Sequence, residues 1–164
     1  MTDLMEIEAE EYQDVGSLNH SIVQTRMAGF LLNDERFTAM VELSLDVSQI
    51  DLSQFGVKAK EELKPDICLY PNSVGLRRRD VLRMPEMPLL AIEVVSPKQG
   101  IDDILAKFDA YFALEVKSCW LVTPTLQIVT VYSQPDNFKT FDKMATEVID
   151  DILDIRVPLQ NIFS

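Results

Sequence analysis

The spacing of apolar and polar residues changes several times along the chain, and each change marks an element. Over residues 19–32, Ile22, Val23, Met27, Phe30 and Leu31 recur at helical spacing, with Ser17 or Asn19 as the cap. The period drops to two over residues 37–47. This predicts a long strand with Met40, Glu42 and Ser44 on one face and Val41, Leu43 and Leu45 on the other. Residues 48–62 are polar and acidic and read as a connection with little regular structure. Strands follow over 64–70, stopped by Pro71, and over 89–95, ended by Ser96-Pro97. The loop 71–88 between them carries Gly75, Pro85 and the run Arg77-Arg78-Arg79. Residues 102–114 return to helical spacing. Residues 118–123 are apolar enough for a strand buried on both faces, and 127–133 alternate as a hairpin partner beyond Pro124. A short strand near Glu147-Val148-Ile149 and an apolar stretch from Val157-Pro158-Leu159 to Ile162-Phe163 complete the pattern. Helix, three strands, helix, then further strands predict an α/β chain of the α+β kind, a mixed sheet flanked by helices.

Size and charge narrow the function. With 164 residues, 47% of them apolar, the chain suits one domain with an ordinary core. The expected division is a flexible acidic tail over 1–15 and a single domain over 16–164. No apolar run approaches the roughly 18 residues that span a bilayer, and the acidic start lacks the basic end of a secretory signal. Cys68 and Cys119 sit in apolar runs and read as small buried hydrophobes in a reducing compartment, so a cytoplasmic location is expected. One histidine and two isolated cysteines make no zinc constellation. The net charge of -12 argues against loose, sequence-independent adhesion to nucleic acid, which depends on Lys and Arg. The charge is uneven, however. Residues 1–14 hold six acids and no base, whereas residues 64–83 hold five bases against two acids. Arg77, Arg78 and Arg79 are either a solvated loop or a basic lip beside a site.

Two acids carry the candidate chemistry. Asp66 opens one strand and Glu93 stands near the end of the next. If those strands pair antiparallel, the two side chains converge. Two carboxylates about 4 Å apart repel by roughly 4 kcal/mol at an effective dielectric near 20. A hard divalent cation reverses the sign of that interaction, and oxygen ligands few in number suit Mg²⁺. The plainer alternatives are a turn-capping Asp66 and a solvated Glu93 paired to a lysine. In the following helix, Asp103 and Lys107 make either an exposed i,i+4 pair or part of the site. Glu42 is a weaker candidate for an extra carboxylate, and His20 and Gln24 lie one turn apart on a helix that faces the same cleft or simply packs.

Pro65-Asp66, Ile92-Glu93-Val94-Val95-Ser96-Pro97, Asp103-x-x-x-Lys107-x-x-x-Tyr111 and Cys119-Trp120-Leu121-Val122 occur in this order. Together they resemble a family of restriction-endonuclease-like proteins in the PD-(D/E)XK nuclease superfamily, found in many copies in some bacterial genomes. The resemblance spans nearly all of the chain beyond residue 15. It implies a restriction-endonuclease-like core and a metal-dependent endonuclease that hydrolyses DNA. Mg²⁺ (or Mn²⁺ in its place) would be held by Asp66, Glu93 and the main-chain carbonyl of Val94. Val95 stands where such proteins carry a lysine, and the resemblance points to Lys107 as its substitute in the catalytic set. Arg77, Arg78 and Arg79 would then bind substrate, and a homodimer is the expected assembly. The displaced lysine and the acidic balance point the other way, to an inactive nuclease fold kept as an oligomerising or regulatory scaffold.

Overall fold

A computed structural model describes residues 16–59 and 61–164, so the expected acidic tail over 1–15 lies outside the described residues. Helix α1 (Leu18–Leu32) is capped by Ser17, whose side chain accepts from the His20 N–H. It is followed by β1 (Phe37–Val41), β2 (Leu45–Asp46), a short 3-10 turn (Leu52–Phe55) and β3 (Glu62–Leu63). Next come β4 (Ile67–Pro71), β5 (Leu90–Val94), α2 (Ile101–Ala113), β6 (Ser118–Thr123), β7 (Ile128–Gln134) and β8 (Asn137–Phe141). The hairpin β9 (Glu147–Asp150) and β10 (Ile155–Pro158) leads into α3 (Leu159–Phe163). The principal sheet has six strands in the order β1-β4-β5-β6-β7-β8. Only β5 and β6 are parallel, joined by α2, and every other neighbouring pair is antiparallel. The expected α/β fold with a mixed sheet and flanking helices is the observed one.

Alternation along the central strands sorts side chains into two cores. Ile67 and Leu69, Ile92 and Val94, and Trp120 and Val122 face α1, where Val23, Met27 and Leu31 are buried against them. Cys68 and Tyr70, Ala91, and Cys119 and Leu121 face α2 and meet Ile104, Phe108 and Tyr111. Each fully buried aliphatic side chain contributes about 1.5–3 kcal/mol, so both helices are anchored by their stripes. Asp66 has the parity of Cys68, and Glu93 that of Ala91. Both acids therefore belong to the face covered by α2.

Two expectations needed correction. The long strand over 37–47 is broken at Glu42, whose φ of 54° lies in the left-handed region. Beyond it, Leu45 and Asp46 leave the main sheet and pair with Leu63 and Glu62. The alternation was real, but it belonged to two sheets. No element was expected over 134–146, where β8 forms the edge of the sheet. All but one of its residues are exposed, so no apolar face marks it in sequence. Lys139 on this edge pairs with Asp151 at 3.3 Å, the kind of charge that discourages further strand pairing.

Candidate active site

Register decides where the acids go. Ile67 lies opposite Ile92 in the antiparallel pair β4–β5, so one step further along brings Asp66 beside Glu93. The nearby Asp66 carboxyl favours the protonated form of Glu93. Asp66 Oδ2 also accepts from the Val94 N–H at 2.7 Å. In extended backbone the N–H and C=O of one residue point to the same side. The Val94 carbonyl therefore faces the Asp66 side of β5, while the next residue, Val95, donates its N–H across to Val122 on β6 at 2.8 Å.

Helices from both faces close on this end of the sheet. From α1, His20 Nε2 stands 3.1 Å from Asp66 Oδ2, and Gln24 Nε2 donates to the Asp66 main-chain oxygen at 2.9 Å. The Glu42 N–H reaches the same oxygen at 3.2 Å, which ties the left-handed break after β1 to the site. From α2, the Tyr111 hydroxyl donates to Glu93 Oε1 at 3.1 Å. Glu93 is 2% exposed. Burial pushes its carboxyl up to about 8, and the charge of Asp66 adds to the rise, while Lys107 and the Tyr111 bond pull it back. Tyr111 is itself raised well above the usual phenol range, by burial first and then by the Glu93 charge, so it remains a donor.

The expected residues are distributed as follows. Asp66 and Glu93 come together, and the Val94 N–H bonds to Asp66 Oδ2. Lys107 is half-buried on α2. Its charge acts on Glu93, whereas no ion pair joins it to Asp103 among the described residues. Val95 packs as a hydrophobe against the α2 core, so no cation follows Glu93 on its own strand. Lys98 is exposed beyond Pro97. Arg77, Arg78 and Arg79 are exposed on the loop between β4 and β5, flanked by Leu76 and Leu82 at 108% and 90% exposure. That loop leaves β4 and enters β5 at the ends opposite Asp66 and Glu93. The strand length of roughly 16 Å therefore separates its roots from the acid pair. The Glu42 side chain is exposed, and only its backbone contacts Asp66. A recess of about 540 Å³ lies elsewhere, lined by Gln127, Lys143, Thr146 and Gln160 among others, and neither acid borders it.

His20 is the residue whose role the sequence left open between facing the cleft and packing. The signal was present, since His20 lies three residues before Val23 and seven before Met27, on the stripe that is buried. A polar residue continuing an apolar stripe needs a partner inside the protein, and here that partner is Asp66.

A family profile described as "Putative restriction endonuclease", named Uma2, matches residues 13–155. The chain belongs to the Uma2 family. No curated protein matches this Uma2 chain. Among solved structures it is similar to a putative nuclease of the DUF820 group from Anabaena variabilis. That similarity has a TM-score of 0.72 at 17% identity and covers 92% of this chain and 83% of that one. At such identity the likeness establishes a shared fold, the mixed sheet described above.

Proposed function

We propose that this Uma2 protein hydrolyses DNA phosphodiester bonds with Mg²⁺, or Mn²⁺ in its place, held by Asp66, Glu93 and the Val94 carbonyl. One observation carries the reading: Glu93, withdrawn from water, faces a second carboxyl group and the charge of Lys107 rather than a set of neutral donors. Among the described residues no group of three or more His, Cys, Asp and Glu side chains is arranged to hold a metal. Zinc is therefore poorly served, whereas two carboxylates and a carbonyl suit an ion that keeps several waters and accepts phosphate oxygens. When bound, such an ion polarises the scissile phosphate and lowers the pKa of the attacking water. The protein's own groups do the rest. Tyr111 fixes the Glu93 carboxyl, Lys107 steadies negative charge on the phosphate, and Arg77, Arg78 and Arg79 contact the backbone as a basic lip. DNA is long enough to reach both the acid pair and the loop, and two copies of the chain would cut both strands.

The test is nicking of supercoiled plasmid in Mg²⁺ or Mn²⁺, together with calorimetric titration of each ion. The parent nicks, and Asp66→Ala folds but neither binds the ion nor nicks. Val95, apolar where a lysine commonly stands, and the net charge of -12 favour the scaffold reading. Absence of nicking by the parent in either ion decides for the scaffold.

A further inference from the structure

The mechanism above leaves unexplained why α1, on the opposite face of the sheet from α2, sends two polar side chains to one aspartate. His20 is 5% exposed and its Nε2 is 3.1 Å from Asp66 Oδ2, while Gln24 one turn later donates to the Asp66 main-chain oxygen at 2.9 Å. The Val94 N–H takes the same Oδ2 at 2.7 Å. Oδ2 thus has two nitrogen partners on two different elements, and the carbonyl of Asp66 has two more, from Gln24 and Glu42. With Oδ2 held by these two nitrogens, Oδ1 is the carboxylate oxygen that neither of them engages.

We infer that α1 is the positioning element of the metal site: His20, assisted by Gln24, clamps Asp66 so that Oδ1 is presented to the cation. The inference rests on the proposed metal site and adds the residues that aim it. An aspartate at the start of a strand has two free side-chain torsions and a chain end that frays, so nothing on β4 itself holds its carboxylate in one orientation. A ligand that must be ordered at the moment of binding loses affinity, and removing the hydrogen-bond partner of a metal ligand typically costs about 10–100-fold. His20 and Gln24 touch neither ion nor substrate in this scheme. They act through Asp66.

The experiment is calorimetric titration of Mn²⁺ into the whole protein, with thermal melting of each variant in the absence of metal. His20→Leu keeps the packing volume and removes the donor. The expected result is a folded protein whose Mn²⁺ affinity falls about 10–100-fold. His20→Gln restores an N–H donor and recovers most of the loss, a rescue that packing alone would not produce. In the metal-free His20→Leu protein the Val94 amide resonance also shifts, because its acceptor is no longer held. Parent-like affinity in a folded His20→Leu protein overturns the inference. If that variant does not fold, Gln24→Met carries the test, with a smaller loss expected and parent-like affinity overturning it. Asp66→Ala is the companion: should it bind Mn²⁺ like the parent, the metal site itself is misplaced, which is a different failure from an idle α1.

Discussion

Among the described residues two carboxyl groups are withdrawn from water, and they are treated in opposite ways. Asp150, at the end of β9, is fully buried. Its Oδ2 accepts from Ser118 Oγ at 2.5 Å and Trp120 Nε1 at 2.8 Å. Its Oδ1 accepts from the Ile152 and Leu153 N–H groups at 2.9 and 3.0 Å. Four donors from two elements replace the water that Asp150 lost. Glu93 sits on β5, beside the β6 strand that supplies two of the Asp150 donors, and among the described residues its close partners are one phenol and another acid. A buried charge is tolerated when its hydrogen bonds are complete and costly when they are not. Asp150 is therefore read as a staple of the fold, tying the β9–β10 hairpin to β6. Glu93 is read as a group waiting for positive charge. Burial by itself separates nothing here, because both acids are buried. What separates them is the identity of the neighbours.

The contrast can be broken most severely at the staple. Asp150→Ala strands the Trp120 indole N–H and the Ser118 hydroxyl, and is expected to destabilise the fold by about 3–5 kcal/mol in urea denaturation. An effect below about 1 kcal/mol would remove the distinction between the two acids. At the other acid, loss of Lys107 acts on chemistry instead. Lys107→Ala is expected to fold normally, with a plasmid-nicking rate lowered by roughly 100-fold, the scale set by loss of one charge-stabilising donor.

A smaller effect is expected from pH in the metal-free protein. Glu93 stands at about 8 in the folded chain against an ordinary value of 4.5. Between those limits the folded state holds more protons than the unfolded state, so stability falls as pH rises. The Glu93 contribution is fully present below about pH 4.5 and is lost as pH passes 8. The slope of unfolding free energy from this one group is at most about 1.4 kcal/mol per pH unit. Glu93→Gln flattens it, and so does saturating Mg²⁺. A slope that survives in Glu93→Gln would assign the dependence to other groups. The smallest change is expected from the loop: replacing Arg77, Arg78 and Arg79 by Ser weakens DNA binding and reduces the salt slope by about one for each phosphate no longer neutralised. An unchanged slope would make the triplet a solvated loop.

Much of the architecture was readable because it is written in local periods. The stripe of Val23, Met27 and Leu31, the apolar run of 118–123 and the alternation of 127–133 each become the element their spacing predicts. The proximity of Asp66 to Glu93 was readable as a condition, since antiparallel pairing of the two strands brings the start of one beside the end of the next; the register itself came from the structure. Failures came where a local period was shared by two environments or absent altogether. The stretch 37–47 alternates throughout, but its halves pair with β4 and β3, and the turn at Glu42 leaves no mark on the alternation. The exposed edge strand β8 has no buried face to write a pattern.

By itself, then, the sequence determined the order of elements, which strand faces are apolar, and that two acids and a lysine are carried on adjacent segments. These depend on residues a few positions apart. Only the tertiary structure decided that His20 and Gln24 reach Asp66 from 46 and 42 positions away, that Tyr111 closes on Glu93, and that Asp150 finds its side-chain donors on β6. Those contacts form because two helices and a hairpin bury their own stripes against opposite faces of one sheet. The polar side chains at the ends of those stripes are then carried to the acids by packing, which leaves no periodic trace in the chain.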